Sequence, residues 1–445
     1  MLTFIKRRRF QLLAVLLVLM MAAGGAWYAL VQTGYITFTS DRQPAPFPQP
    51  ATTRNGRWEQ DVDYLSSQLT YLHANAFHAV SEATFMQKAD ELRAQIPTLD
   101  DIQIIARMTE LTALIQDAHT TAYIHEPGRF HLFPLSLGWY GNDLVVTAAS
   151  PDFTDAIGAR VVAIGNTPLL DAVERVAPFI SHDNAQNLRI RAAMFLRTPE
   201  ILYTAGILPD IDSGEFTFEK AEGEPFTLTF PAEAVDAGSE RVTLYEVLNI
   251  ETPLHRQNLD ATYWYTYLED SQTIYFQYNQ CSDDPAQPFA NFNAEMFAFI
   301  DANPVQRVVI DLRYNGGGNS SVLRPFIRAI RERSALNQPG GLYVLIGERT
   351  FSSAMMNAIE LDDDTSAMLL GEPTGGRPNA YGETRTFTLP NSGLEIQYST
   401  TYFRSRPGSD LDTVPPHVLI APTYQDLLAG RDPVLEAAIN GAGLQ

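Results

Sequence analysis

Arg349-Thr350-Phe351-Ser352-Ser353-Ala354 follows the apolar run Leu342–Ile346 and opens a helical pattern. A serine at such a strand-to-helix junction projects its oxygen above the sheet edge, where a backbone amide can face a developing oxyanion. Thr350, Ser352 or Ser353 would serve equally well as a helix cap, so the segment alone leaves both readings open. A serine nucleophile needs a base that titrates near neutrality, and eight histidines are present. His119, in Asp117-Ala118-His119-Thr120, lies between short polar residues just after a helical pattern. Such a histidine, taken alone, is more often structural or exposed. His73, His78, His125 and His131 are near it in sequence, but none forms an H-x-x-x-H pair. No metal site is expected from this pattern, and no cofactor.

A second segment with chemical potential is Val308-Val309-Ile310-Asp311-Leu312-Arg313-Tyr314-Asn315-Gly316-Gly317-Gly318. A buried strand ends there in a glycine run that opens a helix. Glycines permit positive φ and the close approach of a ligand to backbone N–H groups. No Gly-Lys-Ser/Thr follows, which excludes a phosphate loop, and Gly-x-Gly-x-x-Gly is absent, which excludes the dinucleotide fingerprint. A tight turn remains the plain alternative. Leu370-Gly371-Glu372-Pro373-Thr374-Gly375-Gly376-Arg377 reads as a strand end and loop without chemistry of its own.

The elements that must position these residues change character along the chain. From Trp58 to about Ile115 apolar residues recur near a 3.6-residue period, which predicts helices, the last over Ile102–Ile115. From Phe133 to about Phe230 strand patterns dominate, with a helix expected over Leu169–Val176. From Thr273 onward strands and helices alternate. Strands are expected at Thr273–Tyr278, Arg307–Leu312, Leu342–Ile346 and Met368–Leu370, and helices at Asn291–Ile300, Ser321–Arg333 and Ser353–Leu361. That alternation predicts an α/β layer with helices on a largely parallel sheet. The expected division is residues 56–132 helical, 133–250 β-rich and 251–445 catalytic.

Lys6-Arg7-Arg8-Arg9 precede a nearly uncharged apolar run from Phe10 to Val31, long enough to cross a bilayer. Residues 1–31 are therefore expected to be a signal anchor with the rest of the chain outside the cytoplasm, and a cleaved signal peptide is the competing reading. The Pro-rich residues 32–55 are expected to form a stalk. The formal net charge of −21 speaks against a nucleic-acid partner. The single cysteine, Cys281, allows neither an internal disulfide nor a cysteine-ligated metal cluster.

Taken together, four segments in order resemble the C-terminal processing (tail-specific) proteases and the tricorn-core serine peptidases. They are Asp311 to Gly318, Thr350 to Ala354, Gly371 to Arg377, and the tail Pro415-Pro416-His417-Val418 with Gly430-Arg431-Asp432-Pro433. The resemblance implies a crotonase-like ββα core behind an N-terminal helical segment. Ile157 to Pro168 followed by a helix likewise resembles part of a PDZ domain. The implied nucleophile is Ser352, with oxyanion donors on Gly317 and Ser353. The position of the processing proteases' basic lysine is occupied by Arg377, which cannot accept a proton. The tricorn-like arrangement instead implies His119 as base, with a Glu shortly before the tail as its acid; no Glu stands there, and of Asp410 and Asp412 the expected acid is Asp410, with Asp117 and Arg377 in support. The implied function is a membrane-anchored extracytoplasmic serine endopeptidase acting on peptides or proteins. The alternative is an inactive peptide- or ligand-binding homologue. An esterase is disfavoured by the absence of Gly-x-Ser-x-Gly.

Overall fold

The apolar runs of the second half of the chain assemble into one six-stranded sheet, in the order Tyr263–Leu268, Thr273–Tyr278, Arg307–Asp311, Leu342–Ile346, Met368–Gly371, Val418–Leu419. The computed structural model describes residues 38–39, 41–235 and 240–443. The first two strands pair antiparallel and the rest are parallel. Thr273–Tyr278 and Leu342–Ile346 are buried along their whole length. A parallel sheet covered on both faces demands such unbroken apolar strands. One face packs Phe276, Ile310 and Val344 against Phe292, Phe326 and Ala358 of the crossover helices. The other packs Tyr275, Val309 and Tyr343 against Val434 and Leu435 of the last helix.

The crossover helices are Phe289–Ala302, Arg324–Arg331 and Ser353–Asp364. The helix expected over Ser321–Arg333 opens as a 3-10 turn at Ser320–Leu323, because Pro325 sits in the first α turn and has no N–H to offer. All three motif loops leave the carboxyl ends of neighbouring parallel strands, which is where ligands bind in sheets of this kind.

The Asp311-Leu312-Arg313 run has a structural task. Arg313 is buried between two carboxylates, with contacts of 2.6 Å to Asp311 and 2.7 Å to Asp432. Asp432 also caps the final helix, Pro433–Ile439, by accepting from the Leu435 N–H. Burial alone would push the Asp432 carboxyl up, but the Arg313 charge and His255 hold it well below the usual carboxylate range. This ion triad ties the last helix to the sheet.

Ahead of this layer, Thr53 caps the helix Arg54–Leu72, and Asp100 with Gln103 forms a capping box on Asp101–Ala113. The β-rich part holds a seven-stranded antiparallel sheet around Asp143–Ala149, Arg160–Ile164 and Ser213–Glu219. Its core is aromatic, with Phe133 and Phe230 edge-on to Phe216 at 5.3 and 5.4 Å.

Two long strands were not expected. Asn379–Thr388 and Glu395–Arg404 form an antiparallel hairpin that also pairs with Thr121–Ala122, just after His119. The hairpin tip is held by the fully buried Asp61, whose carboxylate accepts from the N–H groups of Asn391 and Ser392 at 2.9 and 2.7 Å. Its first strand buries only Gly382 and Phe387, so it lacks the apolar alternation that marks a strand in sequence. Residues 41–52, expected within the stalk, lie along the first helix, where Tyr64 donates to the Ala45 carbonyl and Ala51 to Gln60. Among the described residues no helix is long and apolar enough to cross a membrane. The expected anchor over residues 1–31 lies outside the described residues.

Replacing Arg313 by alanine leaves two carboxylates buried without their cation. The expected cost is about 3–5 kcal/mol of stability, read as a lowered denaturant midpoint. The stability that Asp432 contributes is present above the ordinary carboxylate range, near ~3.9, and is lost as pH falls through its depressed folded value. Below the ordinary carboxylate range the parent should therefore lose stability more steeply with falling pH than Asp432→Asn, which has no carboxyl there to protonate, as read from denaturant midpoints at each pH.

Candidate active site

Ser352 caps the helix Ser353–Asp364 with φ 51° and ψ −127°, a backbone conformation that costs a non-glycine residue about 1–3 kcal/mol. Its side chain accepts no capping bond from the helix N–H groups. Instead its Oγ lies 3.0 Å from Nε2 of His119. The strained turn is made possible by glycines from two other loops. A Cβ on Gly317 would meet the Ser352 Cβ at 2.6 Å, and one on Gly376 would stand 3.2 Å from the Ser352 N. Thr350 fixes the approach by donating to the Leu312 carbonyl and accepting from the Gly347 N–H.

His119 is held from several sides. Its ring stacks on Phe351, centroid to centroid 4.5 Å, and the Arg191 guanidinium lies over the same Phe351 ring at 5.7 Å. Its carbonyl accepts from Gln397 of the hairpin at 2.7 Å. Its own N–H donates to Asp117 Oδ1 at 3.0 Å. With Nε2 at the serine, Nδ1 is buried and makes no hydrogen bond.

Asp117 is buried, and its other oxygen gathers three donors. These are Thr120 Oγ1 at 2.5 Å, Ser399 Oγ at 2.6 Å and His73 Nε2 at 3.1 Å. His73 Nδ1 accepts the Asn75 N–H at 3.0 Å, so Nε2 is the ring nitrogen left to donate. Burial would push the Asp117 carboxyl up, but the nearby His119 and His73 rings and the His73 hydrogen bond hold it well below the usual carboxylate range. Its Oδ1 stands 3.8 Å from His119 Nδ1, too far for a hydrogen bond.

The Gly317 N–H donates to Asn315 Oδ1 at 2.9 Å. Among the described residues the Ser353 N–H has no acceptor, while the Ser353 hydroxyl donates to the Gly318 carbonyl at 2.6 Å. Beneath the glycine loop, Cys281 is buried and its thiol is pushed up to about 12 by burial, which keeps it protonated. Arg377 faces the site but its guanidinium is engaged, donating to the Asp183 carbonyl at 2.7 Å and pairing with Asp412 at 2.9 Å.

The structure does not bring Asp410 to His119. Asp410 is exposed and makes no bond to the imidazole. Its loop is tied elsewhere, through Asp412 to Arg377 and Asn184 and through Ser409 to Asn379. Several residues at the site carried no signal in the sequence reading: Phe351, Arg191, Ser399 and Asp183. The polar run Ser181-His182-Asp183-Asn184 before the helix Ala185–Phe195 was the one available cue. Ser352, His119, Gly376 and Arg377 line one cavity of about 770 Å³.

No family model matches the chain, and no curated protein does. Solved structures do. Mature CPAF in complex with lactacystin superposes with a TM-score of 0.63 at 13% identity, over 87% of this chain and 99% of that one. Mature CPAF alone gives 0.61 at 13% identity, over 87% and 98%. The photosystem II D1 C-terminal processing protease is a more distant match, with a TM-score of 0.40 at 14% identity, over 87% and 97%.

Gly317→Ala should be costly, since its Cβ would overlap Ser352 and its φ of +112° is strained for any side chain. A lowered thermal midpoint is expected, and a variant as stable as the parent would show that the glycine loop does not press on the serine. The close apposition of Ser352 and His119 thus rests on a scaffold shared across nearly the whole chain: this protein has the fold of mature CPAF, and its four ordered motifs are those in which it resembles the C-terminal processing and tricorn-core peptidases.

Proposed function

We propose that this chain is a serine endopeptidase in which Ser352 is the nucleophile and His119 the general base. The observation that carries the reading is the 3.0 Å approach of His119 Nε2 to Ser352 Oγ, at a serine held in a strained strand-to-helix turn. Ser352 Oγ bonds to the peptide carbonyl carbon as its proton passes to His119 Nε2. The imidazolium then returns that proton to the departing amine, and water repeats the attack on the acyl-enzyme. The unpartnered Ser353 N–H is the first oxyanion donor. Gly317 is the second, sharing its N–H between the Asn315 side chain and the oxyanion. Each such donor is worth about 2.7–4 kcal/mol in the transition state.

Arg377 is no base at any working pH, and its bonds to Asp183 and Asp412 give it a positioning role. The cavity of about 770 Å³ is of a size for a peptide segment. The six-stranded layer is proposed as the crotonase-like core within residues 251–445, residues 133–250 as a PDZ-like substrate-handling unit, and 56–132 as the helical part that brings His119. The cationic and apolar pattern of residues 6–31 supports an anchor that leaves this body outside the cytoplasm.

A fluorophosphonate probe should label the parent at one serine and leave Ser352→Ala unlabelled while its thermal midpoint is retained. Lactacystin, found in complex with mature CPAF, is a second probe of the same serine. His119→Ala should remove nearly all peptidase activity, and Arg377→Lys should lower it far less. Labelling that persists in Ser352→Ala, or an Arg377→Lys variant that turns over substrate without His119, would refute the assignment. Protease added to intact spheroplasts should degrade the folded body; protection until the membrane is broken would reverse the proposed orientation.

A further inference from the structure

Two polar atoms beside the serine are buried without a hydrogen bond: Nδ1 of His119 and Oδ2 of Asp183. An unpaired donor and an unpaired carboxylate oxygen are each costly in a protein interior, and here they occur together. Asp117 does not resolve the first of them. Its Oδ2 is filled by three donors, its Oδ1 takes the His119 backbone N–H, and the gap to Nδ1 is 3.8 Å.

We propose that Asp183 is the acid that orients His119, accepting the Nδ1–H through one bridging water; this rests on the serine-peptidase reading above. The backbone geometry is built for it. Asp183 is 8% exposed, and its Oδ1 accepts the N–H of Ala118, the residue next to His119, at 2.8 Å. That bond fixes the carboxylate against the histidine loop with Oδ2 left over. Its carbonyl accepts from Arg377, and the adjacent Asn184 caps the helix Ala185–Phe195 and holds the Thr374 and Asp412 carbonyls. Neither atom has a hydrogen-bond partner, and one water bonded to both would satisfy them together.

Charge counting points the same way. The groups facing Asp183 are Asp117, His119 and Arg191. Arg191 is buried beside both carboxylates and donates to the Ala118 carbonyl at 2.8 Å. Two carboxylates against one guanidinium leave the resting site short of one positive charge. Burial and the Asp117 charge accordingly push the Asp183 carboxyl up. Protonation of His119, which occurs as Ser352 gives up its proton, supplies the missing charge. The site is therefore arranged to favour the imidazolium formed in the reaction rather than the neutral ring. Arg377, at the lysine position of the processing proteases, then acts by holding Asp183.

The test is the rate of Ser352 acylation by a fluorophosphonate as a function of pH, in the full-length chain and in Asp183→Asn. Asparagine keeps the shape and the acceptor for Ala118 but removes the charge. The expected result is a fall in acylation rate by about 10²–10⁴-fold, with the acidic limb moved to lower pH because a negative charge beside the base is gone. The downfield Nδ1 proton resonance, assigned by its absence in His119→Ala, should disappear as well. A rate close to the parent with an unmoved limb would overturn the role of Asp183 while leaving the peptidase reading intact. A parent chain that no probe acylates would instead overturn the peptidase reading. Should Asp183→Asn lose its thermal transition, Asp183→Ser is read in its place on the same two criteria.

Discussion

The Asp117 carboxylate is the interaction on which the rest of the site depends. It is buried, and its donors come from places far apart in the chain: His73 at the end of the first long helix, the His119–Thr120 loop, and Ser399 in the second strand of the hairpin. A buried carboxylate without such donors would cost several kcal/mol, so the helical part and the hairpin are obliged to meet there. The Ala74 N–H donates to the Ser399 carbonyl at 2.9 Å and fastens the same junction from the other side. His119 is presented to Ser352 because its backbone is one of the donors in this cluster. Asp117 shapes the loop first and acts on the imidazole ring only through space.

The serine is positioned by a different device, the carboxyl edge of the parallel strands. In a compact Gly-x-Ser-x-Gly turn the glycines that make room for the nucleophile flank it in sequence. Here Phe351 and Ser353 flank it, and the room is made by Gly317 and Gly376 from the adjacent motif loops. The absence of the hydrolase motif is thus a matter of where the glycines lie, and the turn itself is just as strained. Phe351 can then be used for something else: its ring contacts both the His119 imidazole and the Arg191 guanidinium.

Much of this was legible. The βα alternation after Thr273 announced the layer because buried parallel strands are unbroken apolar runs, and Ser352 stood out by its place at a strand-to-helix junction. The short polar motif around His119 reads by itself as structural; the resemblance singled it out, and its Nε2 lies 3.0 Å from Ser352 Oγ. What was not legible depends on contacts distant in sequence. The hairpin Asn379–Thr388 and Glu395–Arg404 exposes much of its first strand and so shows little period-2 signal. Asp410 does not reach His119, because proximity to the tail motif in sequence does not fix which way a loop folds; the salt bridge of Asp412 with Arg377 and the Asn184 bond to the Asp412 carbonyl hold that loop elsewhere. Asp183 was hidden in a polar run whose plain reading is a helix start, and Asn184 beside it does serve as that cap.

The hairpin has a consequence for when the site can exist. His119 and Ser352 are separated by 233 residues, and the cluster that aims the histidine is incomplete until Ser399 joins it. A chain lengthening from its N-terminus carries His119 early, Ser352 late and Ser399, which completes the Asp117 cluster, later still. Cysteine, serine and histidine side chains on such an unfinished chain have only their ordinary solution reactivity. The cluster that aims His119 is therefore completed only when the second hairpin strand joins it, whatever else of the sheet has formed before.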